Sequence, residues 1–160
     1  MMFRNHLIVA TAIYAVATNI GVSFFDWPLQ WELVWRYGLV LLGCSLVDID
    51  YPSSTVGKRV KWISWPIYVL FGHRGITHSA FMVAIIFGAA WAFEFRALYW
   101  LGLGWVLHLV GDYLTDSGIP LMWPSKRRYR FPVYASTNSL SEPIMVGIIT
   151  IGSIIFVIFI

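Results

Sequence analysis

The sequence predicts an all-α, polytopic integral membrane bundle of about five transmembrane helices plus one short interfacial or re-entrant segment. Three observations predict it. Of 160 residues, 59% are hydrophobic and 12% charged, about half the charge of a soluble domain. Long apolar runs recur along the chain; at roughly 20 residues per crossing, four to six crossings use up most of it and leave a single membrane domain, 1–160. Histidines and several aspartates gather in a few polar islands between those runs.

The run over 7–25, preceded by Arg4, predicts the first span. A signal peptide competes, because Ala15-Val16-Ala17 has the look of a small-residue cleavage site, but apolar character continues through Val22-Ser23-Phe24-Phe25. Asp26 to Glu32, with Trp27, Pro28 and Trp31, reads as an interfacial turn with an aromatic belt. The second span, 33–47, ends in Asp48-Ile49-Asp50-Tyr51-Pro52, where Pro52 disfavours helix at Tyr51. Lys58, Arg59 and Lys61 lead into an apolar stretch over 62–71 that is too short to cross and reads as in-plane or re-entrant. Spans at 79–93, 97–113 and 143–160 complete the count, and a packing role is expected for the last. The lone Cys44 lies in an apolar run. It excludes an internal disulfide and a cysteine-rich zinc site, and packing is its expected role.

Charge orients the bundle. The head and the connections 48–78 and 114–142 carry Arg4, Lys58, Arg59, Lys61, Arg74, Lys126, Arg127, Arg128 and Arg130, leaving only Arg36 and Arg96 on the other side. The positive-inside rule then puts the N-terminus in the cytoplasm and the C-terminus outside. All four histidines and Asp48, Asp50, Asp112 and Asp116 fall at the cytoplasmic ends of their spans. Basic charge is read here as topology, and no nucleic-acid partner is expected.

The densest polar island is Gly72-His73-Arg74-Gly75-Ile76-Thr77-His78-Ser79. Burying such groups without partners costs several kcal/mol each, so they must be hydrated, hydrogen-bonded to one another, or bound to something that wants nitrogen and oxygen ligands, and a metal is the working expectation. His73 and His78 are about 140° apart on an ideal helix. A turn at Gly75 and a cap at Thr77 would let both imidazoles face inward. His108 and Asp112, four apart, share a helical face. Asp48 and Asp50 share a side if the backbone there is extended, and a carboxylate at a helix C-terminus invites a cation. With His6 at the mouth of the first span, the candidate metal residues are His6, Asp48, Asp50, His73, His78, His108 and Asp112. Imidazole and carboxylate without thiolate suit a divalent ion, zinc first and manganese or iron next. Seven candidates exceed the four ligands of one zinc, so outer residues or two ions are expected. Such a site activates water and polarises an ester or phosphoryl oxygen. Arg74 is placed to meet substrate charge, and one carboxylate, Asp50, to act as general base. The knot of Lys126, Arg127 and Arg128 reads as an interfacial anchor that can also recruit anionic lipid head groups.

Asp48-Ile49-Asp50 with Pro52, Gly57-Lys58-Arg59-Val60-Lys61-Trp62-Ile63-Ser64, Gly72-His73-Arg74-Gly75 with Thr77-His78-Ser79, and His108 with Asp112 leading to Gly118-Ile119-Pro120-Leu121-Met122-Trp123-Pro124 occur in that order. The set resembles the YdjM-like family of bacterial inner-membrane proteins, described as LexA-regulated, membrane-bound, metal-dependent hydrolases. Val47, Tyr51 and Asp116 depart from that family's usual pattern. The resemblance implies a polytopic helical protein with a His/Asp metal site, an inner-membrane location and a place in the SOS response. The function expected is hydrolysis of a phosphoester or ester of a lipid or lipid-linked substrate at the cytoplasmic interface. The competing class is a non-enzymatic metal or proton carrier, or a stress-response scaffold, using the same residues.

Overall fold

A computed structural model describes residues 1–25, 31–125 and 127–159. The described residues form six α-helices and no β-strand: α1 (Phe3–Phe25), α2 (Trp31–Leu46), α3 (Lys61–Phe71), α4 (Ala80–Ala92), α5 (Ala97–Tyr113) and α6 (Ser141–Phe159). Each predicted span falls on one of α1, α2, α4, α5 and α6, and α3 covers the short segment. The interfacial turn expected from Asp26 rests largely on residues 26–30, outside the described residues. Among those described, only Ser141–Phe159 is both long and apolar enough to cross a membrane. With 16, 13 and 17 residues, α2, α4 and α5 are shorter than the roughly 20 of a full crossing.

The core is built where α2 meets α5. A Cβ at Gly43 would fall on the carbonyl oxygen of Leu101, and one at Gly104 on that of Val40. The two backbones therefore touch, as small residues allow between helices in lipid. Around this crossing Val40, Cys44 and Leu107 are buried with Ala10 and Tyr14 of α1. A second cluster joins Val47, Trp105, Leu109 and Ile119 beside the site. On the far side α1 packs on α6 through Val9 and Val146.

At the head of α6 the Glu142 carboxylate is fully buried. It accepts hydrogen bonds from Met2 N–H (2.6 Å), Asn5 Nδ2 (2.8 Å) and Asn138 N–H (3.1 Å). A packing role alone does not describe this helix. Its first turn ties down the start of α1, and hence His6. The connection after α5 is pinned by two isolated bridges, Thr115 to Ala135 and Ile119 to Tyr129.

α3 buries Ser64 and exposes Trp62 (77%), Trp65, Val69 and Leu70 (74%). Its flanking Lys58, Arg59 and Lys61 are also exposed. Aromatic and basic side chains on a short surface helix are the composition of an interfacial segment.

Because the α2–α5 crossing has no room for a methyl group, Gly104→Ala should destabilise the protein by about 1–3 kcal/mol. Thermal unfolding in detergent measures this, and an unchanged midpoint would contradict the close approach.

Candidate metal centre

Three pieces of chain deliver the site. On α5, His108 and Asp112 lie one turn apart. Beyond α2 the chain tightens into a 3-10 turn, Val47–Asp50, where an extended backbone was expected. Residues two apart in a 3-10 helix point about 240° apart, so Asp48 and Asp50 diverge. The third piece is the 72–79 segment. There Gly72 has φ 73° and Arg74, a non-glycine, has φ 58°. The left-handed conformation at Arg74 is unfavourable by itself but is held by its bonds. The Arg74 N–H donates to Asp50 Oδ2 at 2.9 Å. The guanidinium donates to the Gly118 carbonyl (3.2 Å) and to Asp112 Oδ1 (3.1 Å).

Four ligand atoms converge. His78 Nε2 lies 3.6 Å from Asp48 Oδ1 and 3.6 Å from Asp112 Oδ2; His108 Nε2 lies 3.7 and 3.8 Å from the same two oxygens. These separations are too long for hydrogen bonds. His78 Nε2 is buried with no hydrogen-bond partner among the described residues; Asp112 Oδ2 accepts no hydrogen bond of good geometry but lies 3.0 Å from Arg74 Nη2 in an ion pair. Asp48, His78 and His108 form a group whose ligand atoms all lie within 4.8 Å of one another, close enough to hold a metal ion, and Asp112 Oδ2 approaches both imidazoles of that group.

The remaining polar groups hold these four in place. His108 Nδ1–H donates to the Cys44 carbonyl at 2.7 Å and His78 Nδ1–H to Asp50 Oδ2 at 3.2 Å. Both rings are thereby fixed with Nε2 lone pairs toward the centre, as orienting partners do for metal-binding histidines. Asp50 is fully buried and also accepts from His73 Nδ1–H (3.1 Å) and from the Thr77 hydroxyl. Thr77 is therefore not the cap of the next helix: Ser79 precedes α4, and no side-chain cap bond forms there. His6 stacks on His108, centroids 3.8 Å apart, and its Nε2 is 3.2 Å from Asp112 Oδ1. The Met1 α-amino group reaches the same oxygen at 2.8 Å. His6, His108 and Asp112 form a second group of nearby ligand atoms, but the face-on stack turns His6 toward the outer oxygen of Asp112.

The electrostatics are those of an inward-facing anionic cup. Burial pushes Asp50 up, and the bonds from His73 and His78 outweigh it and hold the carboxyl well below its usual range. Asp48 is likewise lowered, burial being outweighed by attraction to His78 and His108. His78, which burial pushes down, is carried up to about 9 by Asp48 and Asp50. An arriving cation would displace that proton.

Of the predicted residues, Asp48, His78 and His108 form one group of ligand atoms and His6, His108 and Asp112 a second, with Asp112 also 3.6 Å from His78. Asp50, His73 and Arg74 stand one step outside. Arg127 stacks over Tyr129 at 5.4 Å, and Lys126 lies outside the described residues. Asp116 is bonded by Thr137 Oγ1 at 2.9 Å. The sequence reading missed Glu142, Asn5 and the role of Thr77. A carboxylate opening an otherwise uncharged apolar helix was the available signal for the first.

A family model described as YdjM inner membrane protein matches residues 1–159. The chain belongs to the YdjM family. It is 36% identical to "Inner membrane protein YdjM" of Escherichia coli (strain K12) over 144 residues, covering 83% of this chain and 70% of that protein; the Shigella flexneri protein of that name matches equally. "Uncharacterized protein YvsG" of Bacillus subtilis (strain 168) is 32% identical over 70% of this chain and 71% of its own length. No solved structure matches significantly. Family membership makes this a membrane protein of the bacterial inner membrane, and within it the His/Asp grouping is the feature able to hold an ion.

His108→Ala and Asp112→Ala should each abolish bound metal in the purified protein. Asp50→Asn keeps all four converging atoms and should weaken metal affinity about 10–100-fold. Elemental analysis and competition with a chelator read both, and wild-type metal content in all three variants would contradict the site.

Proposed function

We propose that this YdjM-family protein is a metal-dependent hydrolase embedded in the inner membrane, acting at the cytoplasmic interface on a phosphoester or ester of a lipid or lipid-linked substrate. The supporting observation is the set of neighbouring, mutually unbonded ligand atoms from the buried His78, His108 and Asp112 and the partly exposed Asp48. A divalent ion, zinc best matching two imidazoles and two carboxylates, would be held by these four. When bound, such an ion lowers the pKa of water and polarises an ester or phosphoryl oxygen.

The chain's own residues supply position and charge. Asp50 orients His78 and His73 through its two oxygens and fixes the Arg74 backbone beside them. Arg74 neutralises Asp112 and lies at the edge facing substrate. Side-chain exposure of 18% at Asp48, against 1% or less at the other three residues, marks the side on which the centre can be reached.

The topology proposed is five spans, α1, α2, α4, α5 and α6, with the N-terminus cytoplasmic and the C-terminus periplasmic. Nine of eleven basic residues on one side support it.

Zinc-loaded protein in mixed micelles should hydrolyse a chromogenic phosphate or carboxylate ester, and His78→Ala should lower the rate at least about a hundredfold. A wild-type protein that binds zinc but cleaves neither ester class would contradict the hydrolase reading. A reporter fused after Ile160 should be active only outside the cytoplasm; activity inside would overturn the five-span arrangement.

A further inference from the structure

Beside the metal centre lies a cavity of about 520 Å³ that no part of the proposed chemistry yet uses. Its size is that of a small-molecule site. Two kinds of wall meet in it. One is polar: His73, Arg74 and Arg128. The other is apolar: Leu70 and Phe71 at the end of α3, facing Trp123 in the loop after α5. Phe71 and Trp123 are in edge contact at 5.8 Å between ring centroids.

The polar wall carries positive charge with no carboxylate among its lining residues. Arg74 is committed to Asp112 and the Gly118 carbonyl, but its Nε is buried and makes no hydrogen bond among the described residues. Arg128 makes one long bond, 3.3 Å to the Ser117 carbonyl, and its side chain is exposed. His73 is 34% exposed. Its Nδ1 is spent on Asp50 and its face on Tyr51, with ring centroids 4.5 Å apart, which leaves Nε2 as its free polar atom. Its ring centroid is 5.6 Å from that of His78, so His73 is the partition between cavity and metal centre. Forked guanidinium groups recognise phosphoryl oxygens better than any other side chain.

The apolar wall continues outward. Leu70 belongs to the exposed face of α3 with Trp62, Trp65 and Val69, and that face has the composition of a segment lying in the lipid interface. An occupant with a charged head and a hydrocarbon body would meet both walls at once.

We infer that this cavity binds the phosphate-bearing head of a membrane amphiphile, with Arg128 as its anion anchor and Trp123 and Phe71 bordering the hydrocarbon. This deepens the hydrolase reading by naming a substrate class, and it rests on that reading only for the chemistry that follows binding. Arg128 touches none of the four converging residues, so its loss leaves the metal in place.

Native mass spectrometry of the full chain in detergent tests the inference, with dioleoyl phosphatidic acid, dioleoylglycerol and inorganic phosphate as probes. One phosphatidic acid per chain should be retained, with dioleoylglycerol and inorganic phosphate each at least about tenfold weaker. Arg128→Gln should weaken retention by about tenfold or more with metal content unchanged, Arg128→Lys should restore part of it, and Trp123→Ala should weaken it while still binding metal. Equal retention of dioleoylglycerol would overturn the phosphoryl assignment. Inorganic phosphate binding as tightly as the lipid would overturn the amphiphile. Retention indifferent to Arg128→Gln would overturn the cavity itself. Each of these leaves the metal reading standing, whereas lipid retention by a wild-type chain that takes up no metal would sink the hydrolase reading and keep the cavity.

Discussion

Two imidazole nitrogens each lie 3.6–3.8 Å from two carboxylate oxygens, three of the four residues buried and Asp48 partly exposed, with no hydrogen bond across those gaps. An unsatisfied polar atom in such a place is unfavourable by about 1–3 kcal/mol, and more if charged. The surrounding structure is arranged to hold that condition rather than relieve it. The Cys44 carbonyl and Asp50 occupy the outer nitrogens of His108 and His78. Met1 and His6 crowd one oxygen of Asp112, and the Arg74 guanidinium straddles both, 3.1 Å from Oδ1 and 3.0 Å from Oδ2. A cation held in the gap would give the facing nitrogens and oxygens a common partner.

Holding those atoms requires close backbones. Gly43 and Gly104 let α2 and α5 touch, which fixes the height of the Val47–Asp50 turn against His108 and Asp112. Gly111 has a similar purpose: a Cβ there would collide with the ring of His6, whose stack on His108 closes the site from α1. Glu142 then anchors the start of α1 from the head of α6. The left-handed backbone at Arg74 is a locally unfavourable conformation within this assembly. It lets a single residue bond Asp50 through its N–H and Asp112 through its side chain, tying the two carboxylates of opposite sides together.

Much of this was legible in the sequence, for reasons that are mostly one-dimensional. Apolar run length located the helices, although α4 and α5 fell short of a full crossing because the chain leaves helical geometry at the polar islands. Four-residue spacing put His108 and Asp112 on one face. The expectation that the histidines share one region matches their ring contacts, His6 on His108 and His78 beside both His73 and His108. What failed was conformation inside the islands. Asp48 and Asp50 looked equivalent until the 3-10 turn sent one carboxylate to the inner set and the other behind His78. Thr77 looked like a cap because hydroxyls before helices usually are, but Asp50 competes for it. His73 looked like a partner of His78; it stands outside because Asp50 holds its Nδ1 and Tyr51 its face. Glu142 was passed over since its role depends on Asn5 and Asn138, residues with no pattern linking them to it.

The central claim is that one ion sits among Asp48, His78, His108 and Asp112. X-ray absorption at the zinc edge of the purified, zinc-loaded protein tests it most directly. The account predicts four light-atom neighbours at about 2.0–2.2 Å with the multiple-scattering signature of two imidazoles and no sulfur. A Zn–S distance near 2.3 Å, implicating Cys44, or a shell of water oxygens without imidazole, would contradict it.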